Sequence, residues 1–126
     1  MTHGIASRTT TGALMFALLA AALVVSLPSA ARAASFDCAA AKAPDEQAVC
    51  ATPNLNDLDV KMATQYTIVT HLVGMGQRGD LQDQQRAFLK QRAACGSNAG
   101  CIAEAYQARI GVFEEILARV YTHGPF

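Results

Sequence analysis

Four cysteines, Cys38, Cys50, Cys95 and Cys101, are the residues of this chain with the clearest chemistry. An even count in a short chain suits two disulfides formed in an oxidising compartment. Three pairings are possible. The local one, Cys38–Cys50 with Cys95–Cys101, is preferred because each pair brackets a short segment that bears a turn. Loop entropy gives each such bridge about 2–3 kcal/mol of stability. A metal is not expected: there is no C-x-x-C, and His71 and His123 stand isolated, so the ligand spacing of a zinc site is missing. Haem attachment would need C-x-x-C-H, which is absent too. No cofactor is therefore implied.

The remaining reactive side chains fit catalysis poorly. Asp57 and Asp59 lie two apart on one helical stretch, so they point to different faces and cannot work as an acid/base pair. His71 lies on a helical ladder near Met75, the usual place for a surface histidine. The hydroxyls of Thr64, Thr67, Thr70 and Ser97 have no His–Asp setting to activate them. Gly74, Gly76 and Gly79 lack both the G-x-G-x-x-G order and a preceding strand, so they do not form a phosphate cradle. The chain does not read as an enzyme.

Basic residues offer binding rather than catalysis. Arg86 and Lys90 are one helical turn apart and share a face, a cationic ridge suited to an acidic cleft or to plain solvation. Arg92 and Arg109 fall nearer the apolar positions. They are expected to pair inside the domain with Glu46 or Glu104, because a guanidinium fork holds a carboxylate in two places.

These groups must be carried by helices. Leu81, Phe88 and Leu89 precede the Cys95-to-Cys101 corner, and Ile102, Ala105, Ile110, Phe113 and Leu117 follow it, all at helical spacing. So short a link folds the two helices back as a hairpin. Upstream, Pro44-Asp45-Glu46 starts a short helix, with acids at the positive end of its dipole. Pro53 stops it by disfavouring helix at Thr52. Asn54 is expected to cap a longer helix with the stripe Leu55, Leu58, Met62, Tyr66, Val69 and Val73. Its end, Val69-Leu72-Val73, suits either the core or a dimer patch, and the oligomeric state is open. The glycines around Gly76 should end that helix, with Gln77-Arg78-Gly79 as a flexible loop and Asp80 as the next cap. The third helix carries Leu81, Gln85, Phe88, Leu89 and Cys95. Gly96 suits a left-handed residue past its end, and Asn98 can cap the fourth helix. That helix runs from about Ala99 to Tyr121 and buries Ile102, Ala105, Tyr106, Ile110, Phe113, Leu117 and Val120. The tail from Thr122 should fray. The fold class is all-α: one short N-terminal helix plus three longer ones, the last two forming a hairpin, stapled by disulfides.

The first third of the chain lies outside this domain. His3 and Arg8 precede an uncharged run from Ala13 to Leu27, which Pro28 closes and Ala31-Arg32-Ala33 follows. That order is a secretory signal peptide over residues 1–33, with cleavage after Ala33. The run has 15 residues, whereas a membrane span needs about 20. Cys38 follows Ser35-Phe36-Asp37 rather than a lipobox. The mature domain, residues 34–126, is thus expected in the periplasm or the medium, with no membrane association. Without Arg8 and Arg32 it keeps eight basic residues against ten acidic ones, a charge of about −2. That is no footprint for nucleic acid, which needs a basic excess on one face.

The residue pattern also resembles a known family. Phe36-Asp37-Cys38, Glu46-x-x-Val49-Cys50, Leu55-x-x-Leu58-Asp59 and Tyr66 lead into Gln85-Arg86-x-Phe88-Leu89-x-x-Arg92-x-x-Cys95-Gly96. Cys101 and Ala105-Tyr106-x-x-Arg109-Ile110 complete it. Together they resemble the lysozyme-inhibitor LprI-like family of small secreted or periplasmic bacterial domains, over about Ser35 to Phe113. Phe88 stands where that family usually has tryptophan, which keeps an aromatic side chain in the core. The resemblance implies a helical domain that binds another exported protein, with a lysozyme as the first expectation. Arg86, Lys90 or the Gln77–Asp80 segment would make the contact. The other expectation is an envelope structural or adaptor domain with no enzyme target.

Overall fold

The computed structural model describes Met1 and residues 34–123; the rest of the expected leader over residues 1–33 and the last three residues fall outside the described part. A lead-in from Ala34 to Ala43 is followed by α1 (Pro44–Ala51), α2 (Pro53–Leu72), α3 (Met75–Ala94) and α4 (Ala99–His123). The domain is all-α and stapled by Cys38–Cys50 and Cys95–Cys101, the local pairing.

Helix α1 starts on Pro44 with Asp45 and Glu46 in its first turn. The Glu46 carboxylate reaches back to accept from the backbone N–H groups of Lys42 and Ala43, at 3.2 and 3.3 Å, which satisfies donors that a helix start otherwise leaves open. Thr52 is extended (φ −112°, ψ 110°), as a residue before proline should be.

The start of α2 corrects the expected cap. Thr52, not Asn54, takes the N-cap position, and Pro53 is the first helical residue. Proline's fixed φ suits that position, and its missing N–H is no loss there; the Thr52 carbonyl still receives the Asn56 N–H at 3.0 Å. The start of α3 departs further. Gly74 is its N-cap and the helix already runs at Met75, so Gln77-Arg78-Gly79 is not a loop and Asp80 is not a cap. Arg78 explains why so tight a connection holds. Its Nε donates to the Thr70 carbonyl at 2.6 Å and a second nitrogen donates to that of Val73 at 3.3 Å. Carbonyls left open at the end of α2 are thereby satisfied by the first turn of α3.

At the other corner Gly96 is left-handed (φ +55°), and Asn98 caps α4 by accepting the Cys101 N–H at 3.1 Å. The last two helices pack as the expected hairpin. Asp59 meets Tyr106 and Tyr66 meets Phe113, so α2 and α4 lie side by side in parallel, with the antiparallel α3 returning between them in sequence. The core runs along this seam: Val49 of α1, Leu55, Met62 and Val69 of α2, Leu81 and Phe88 of α3, and Ile102, Tyr106, Ile110 and Phe113 of α4. Each such side chain removed from water contributes about 1.5–3 kcal/mol. Val69 and Val73 belong to this core, whereas Leu72 is exposed. Leu89 is a correction: expected on the core stripe, it is 42% exposed. Helix α4 continues to His123, past the point where fraying was expected.

Candidate functional site

Among the described residues, five polar or charged side chains are buried with the core: Asp45, Asn56, Asp59, Arg92 and Arg109. Asp45, Asp59 and Arg92 form one network. Arg92 Nε donates to Asp45 Oδ2 at 2.8 Å, and its Nη1 donates to the Tyr106 hydroxyl at 2.9 Å. That hydroxyl donates onward to Asp59 Oδ1 at 2.9 Å, which also lies 3.9 Å from Arg92 Nη1. The second Asp59 oxygen accepts the Ser35 backbone N–H at 2.6 Å. The guanidinium is flanked by the Phe36 and Tyr106 rings, 5.6 and 5.9 Å from their centroids. The lead-in and all four helices except their far ends are tied together here.

Burial and the neighbouring Asp59 charge push the Tyr106 hydroxyl well above the ordinary phenol range, against the opposing pull of Arg92. Burial works to lower the pKa of Arg92, but Tyr106 and Asp45 outweigh it and the net direction is upward. Tyr106 is thus a neutral bridge and Arg92 a fixed cation.

The interior role expected of Arg92 has different partners: Asp45 and Asp59, not Glu46 or Glu104. Glu46 is one residue off, with its carboxylate turned back onto the start of α1. Glu104 is exposed on α4. Arg109 meets no carboxylate. Its nitrogens donate to Gln85 Oε1 at 2.9 Å, Gln84 Oε1 at 3.0 Å and the Leu81 carbonyl at 2.9 Å, and it stacks 4.4 Å above Phe113. Burial lowers its pKa, as expected of a cation held by neutral acceptors.

Sequence reasoning missed Asp45 and Asp59, although a signal existed. Asp45 is one turn before Val49, and Asp59 lies between Leu55 and Met62 at helical spacing, so both acids sit on core-facing stripes. Arg92 likewise follows Phe88 by one turn. An acid on a buried stripe implies a buried cation, and the stripes themselves could have named the pairs.

The other candidates lie outside. Arg86 and Lys90 are exposed on α3, Arg86 pairing with Asp83 one turn back. Leu89, three residues on from Arg86, lines a groove of about 360 Å³ between α2 and α3, together with Phe36, Met62, Tyr66 and Gln85. Arg86, Leu89 and Lys90 therefore present two cations and an apolar side chain on adjoining positions of one rigid helix. His71 is exposed, its Nδ1 donating to the Thr67 carbonyl at 2.7 Å. The Thr67 and Thr70 hydroxyls donate to carbonyls of their own helix. Among the described residues no group of three or more His, Cys, Asp or Glu could hold a metal ion, and no helix is long and apolar enough to cross a membrane.

Comparison with protein-family models, with curated proteins and with solved structures finds no match for this chain.

Proposed function

We propose that this chain is an exported, non-enzymatic binding protein that inhibits a lysozyme through the Arg86–Leu89–Lys90 face of α3. The observation that carries this reading is the composition of that face. An exposed leucine beside two cations on a helix can fill an apolar subsite and meet acids at the same time. Lysozymes cleave glycans with a pair of carboxylates in a cleft, a complementary target. The Arg86–Asp83 pair is open to solvent, so its guanidinium exchanges readily for a better-placed acid. Two disulfides and the Arg92 network hold the helix in place, which lowers the cost of ordering on binding. The Gln77–Asp80 segment drops out as a contact loop, because it is the first turn of α3 and Arg78 is occupied with the end of α2.

The test is charge reversal. The exported protein should slow lysis of a bacterial cell-wall suspension by its target lysozyme. Arg86→Glu with Lys90→Glu should abolish that effect while leaving the helical circular dichroism unchanged. Inhibition that survives the reversal removes this face from the account. Recovery of envelope proteins by cross-linking, with no effect on any lysozyme, would favour the adaptor role.

A further inference from the structure

The buried network is one cation short. Asp45 and Asp59 are 2% and 1% exposed, and Arg92, at 6%, is the cation between them. Two carboxylates against one guanidinium leave a formal charge of −1 in this network, the other buried cation, Arg109, being held by neutral acceptors, and Glu46 adds a further acid on the adjoining groove. Among the described residues, Arg109 is held by Gln84, Gln85 and Leu81, and Lys61 pairs with Glu114 at the surface. Interiors seldom leave a carboxylate so poorly balanced.

The chain that reaches this network is its own lead-in. Ala34 and Phe36 pack against the core, Phe36 lies on the Arg92 guanidinium, and the Ser35 N–H reaches Asp59 Oδ2 at 2.6 Å. The Cys38–Cys50 bridge ties the segment to α1. Bond lengths alone then keep the Ala34 nitrogen within about 7 Å of Asp59 Oδ2. We propose that cleavage after Ala33 supplies the missing charge: the freed α-ammonium of Ala34 sits beside Asp59 and completes the buried network. Leader removal is then a maturation step for the fold as well as a release step.

The chemistry is hydrolysis of the Ala33–Ala34 amide by a leader-cleaving endopeptidase with water as co-reactant. The C–N bond breaks and water's oxygen joins the Ala33 carbonyl, which leaves as a carboxylate. The Ala34 nitrogen takes both protons of that water and is an ammonium at neutral pH. A neutral amide with one donor becomes a cation with three. The titratable and charged groups of the network it would join are Asp59 on α2, Arg92 on α3, Tyr106 on α4 and Asp45 on α1, with Glu46 on the adjoining groove. Arg92 opposes the new charge, and Asp59, the acid joined to the adjacent Ser35 N–H, favours it.

This inference rests on the export reading above, and one experiment separates the two. The full chain is expressed with its own leader, and the product is recovered from outside the cytoplasm. Its mass gives the first residue, and its α-amino group is titrated by NMR. A second full-length chain carries Gly-Ser inserted between Ala33 and Ala34, which moves the ammonium away from Asp59 without altering the domain. The expected product begins at Ala34, and its amine titrates at least about one unit above the ordinary range of about 7.7–8.0. A raised folded-state pKa stabilises below the unfolded value and is lost as pH rises through the folded value, so the stability gain should fade above about pH 8. The inserted chain should titrate in the ordinary range and melt lower at pH 7, the difference vanishing at high pH. An exported product beginning at Ala34 with an ordinary amine, and a melting temperature equal to that of the inserted chain, overturns the inference and leaves export standing. An exported product that begins elsewhere also overturns it. A chain that stays in the cytoplasm overturns both.

Discussion

Replacing Arg92 with methionine tests the buried network, because it keeps much of the side-chain volume and removes the charge. Arg92 is 6% exposed, and it donates to Asp45 at 2.8 Å and to Tyr106 at 2.9 Å. Its loss leaves two buried carboxylates without the guanidinium they share. Removing one partner of a buried pair costs about 3–5 kcal/mol, since the remaining charge has lost both water and its counter-ion. A domain of about 90 residues has roughly 5–14 kcal/mol in total, and each kcal/mol shifts its melting temperature by about 4–8 °C. The expected fall for Arg92→Met is therefore at least about 12 °C, read by circular dichroism with the disulfides intact. Adding Asp45→Leu and Asp59→Leu to Arg92→Met should recover part of the loss, because the uncompensated charges go with it. A fall of less than about 4 °C for Arg92→Met, corresponding to about 1 kcal/mol or less, would refute the claim that this network holds the four helices together.

Other consequences follow from single contacts. Cys95→Ser should lower stability by about 2 kcal/mol, the loop-entropy value for a bridge spanning six residues, and thermal melting should show it. Tyr106, held neutral above its ordinary pKa, contributes stability that is complete below about pH 10 and declines as pH rises toward its folded value, by up to about 1.4 kcal/mol per pH unit. Denaturant titrations between pH 9 and 11 should show that decline for the native protein and a flatter curve for Tyr106→Phe. Arg78→Ala should free the Thr70 and Val73 carbonyls and speed amide exchange at the α2–α3 junction, with little effect at the Cys95–Cys101 corner.

Much of the fold was legible because local rules govern it. Apolar spacing gave three long helices, Pro44 and Asn98 marked two starts, and Gly96 marked the left-handed stop that the structure contains. The failures came where one local rule competed with another. Pro53 was read as a breaker after α1, whereas it is also a good first residue for α2. The glycines near Gly76 argued for a loop, but Arg78 satisfies the end of α2 from a helical position, and that pairing across the turn is not written in propensities. Leu89 has the right spacing for the core and lies at its edge, because α2 and α3 part there to leave a groove. The buried charges were legible as types but not as pairs. Arg92 and Arg109 looked interior and are, yet their partners depend on which stripes face each other, a tertiary fact. Asp45 wins over Glu46 because it lies on the Val49 side of α1, while Glu46 can reach the open N–H groups behind it. The exposed positions of Arg86 and Lys90 followed from their shared face on α3.

The account's central claim is that the Arg86–Leu89–Lys90 face serves inhibition of a lysozyme. Its most direct measurement is a turbidity titration of the oxidised, exported protein against c-type, g-type and i-type lysozymes. Saturable inhibition of one type, with a defined stoichiometry, is the expected result. Undiminished lysis by all three types at high molar excess would contradict it.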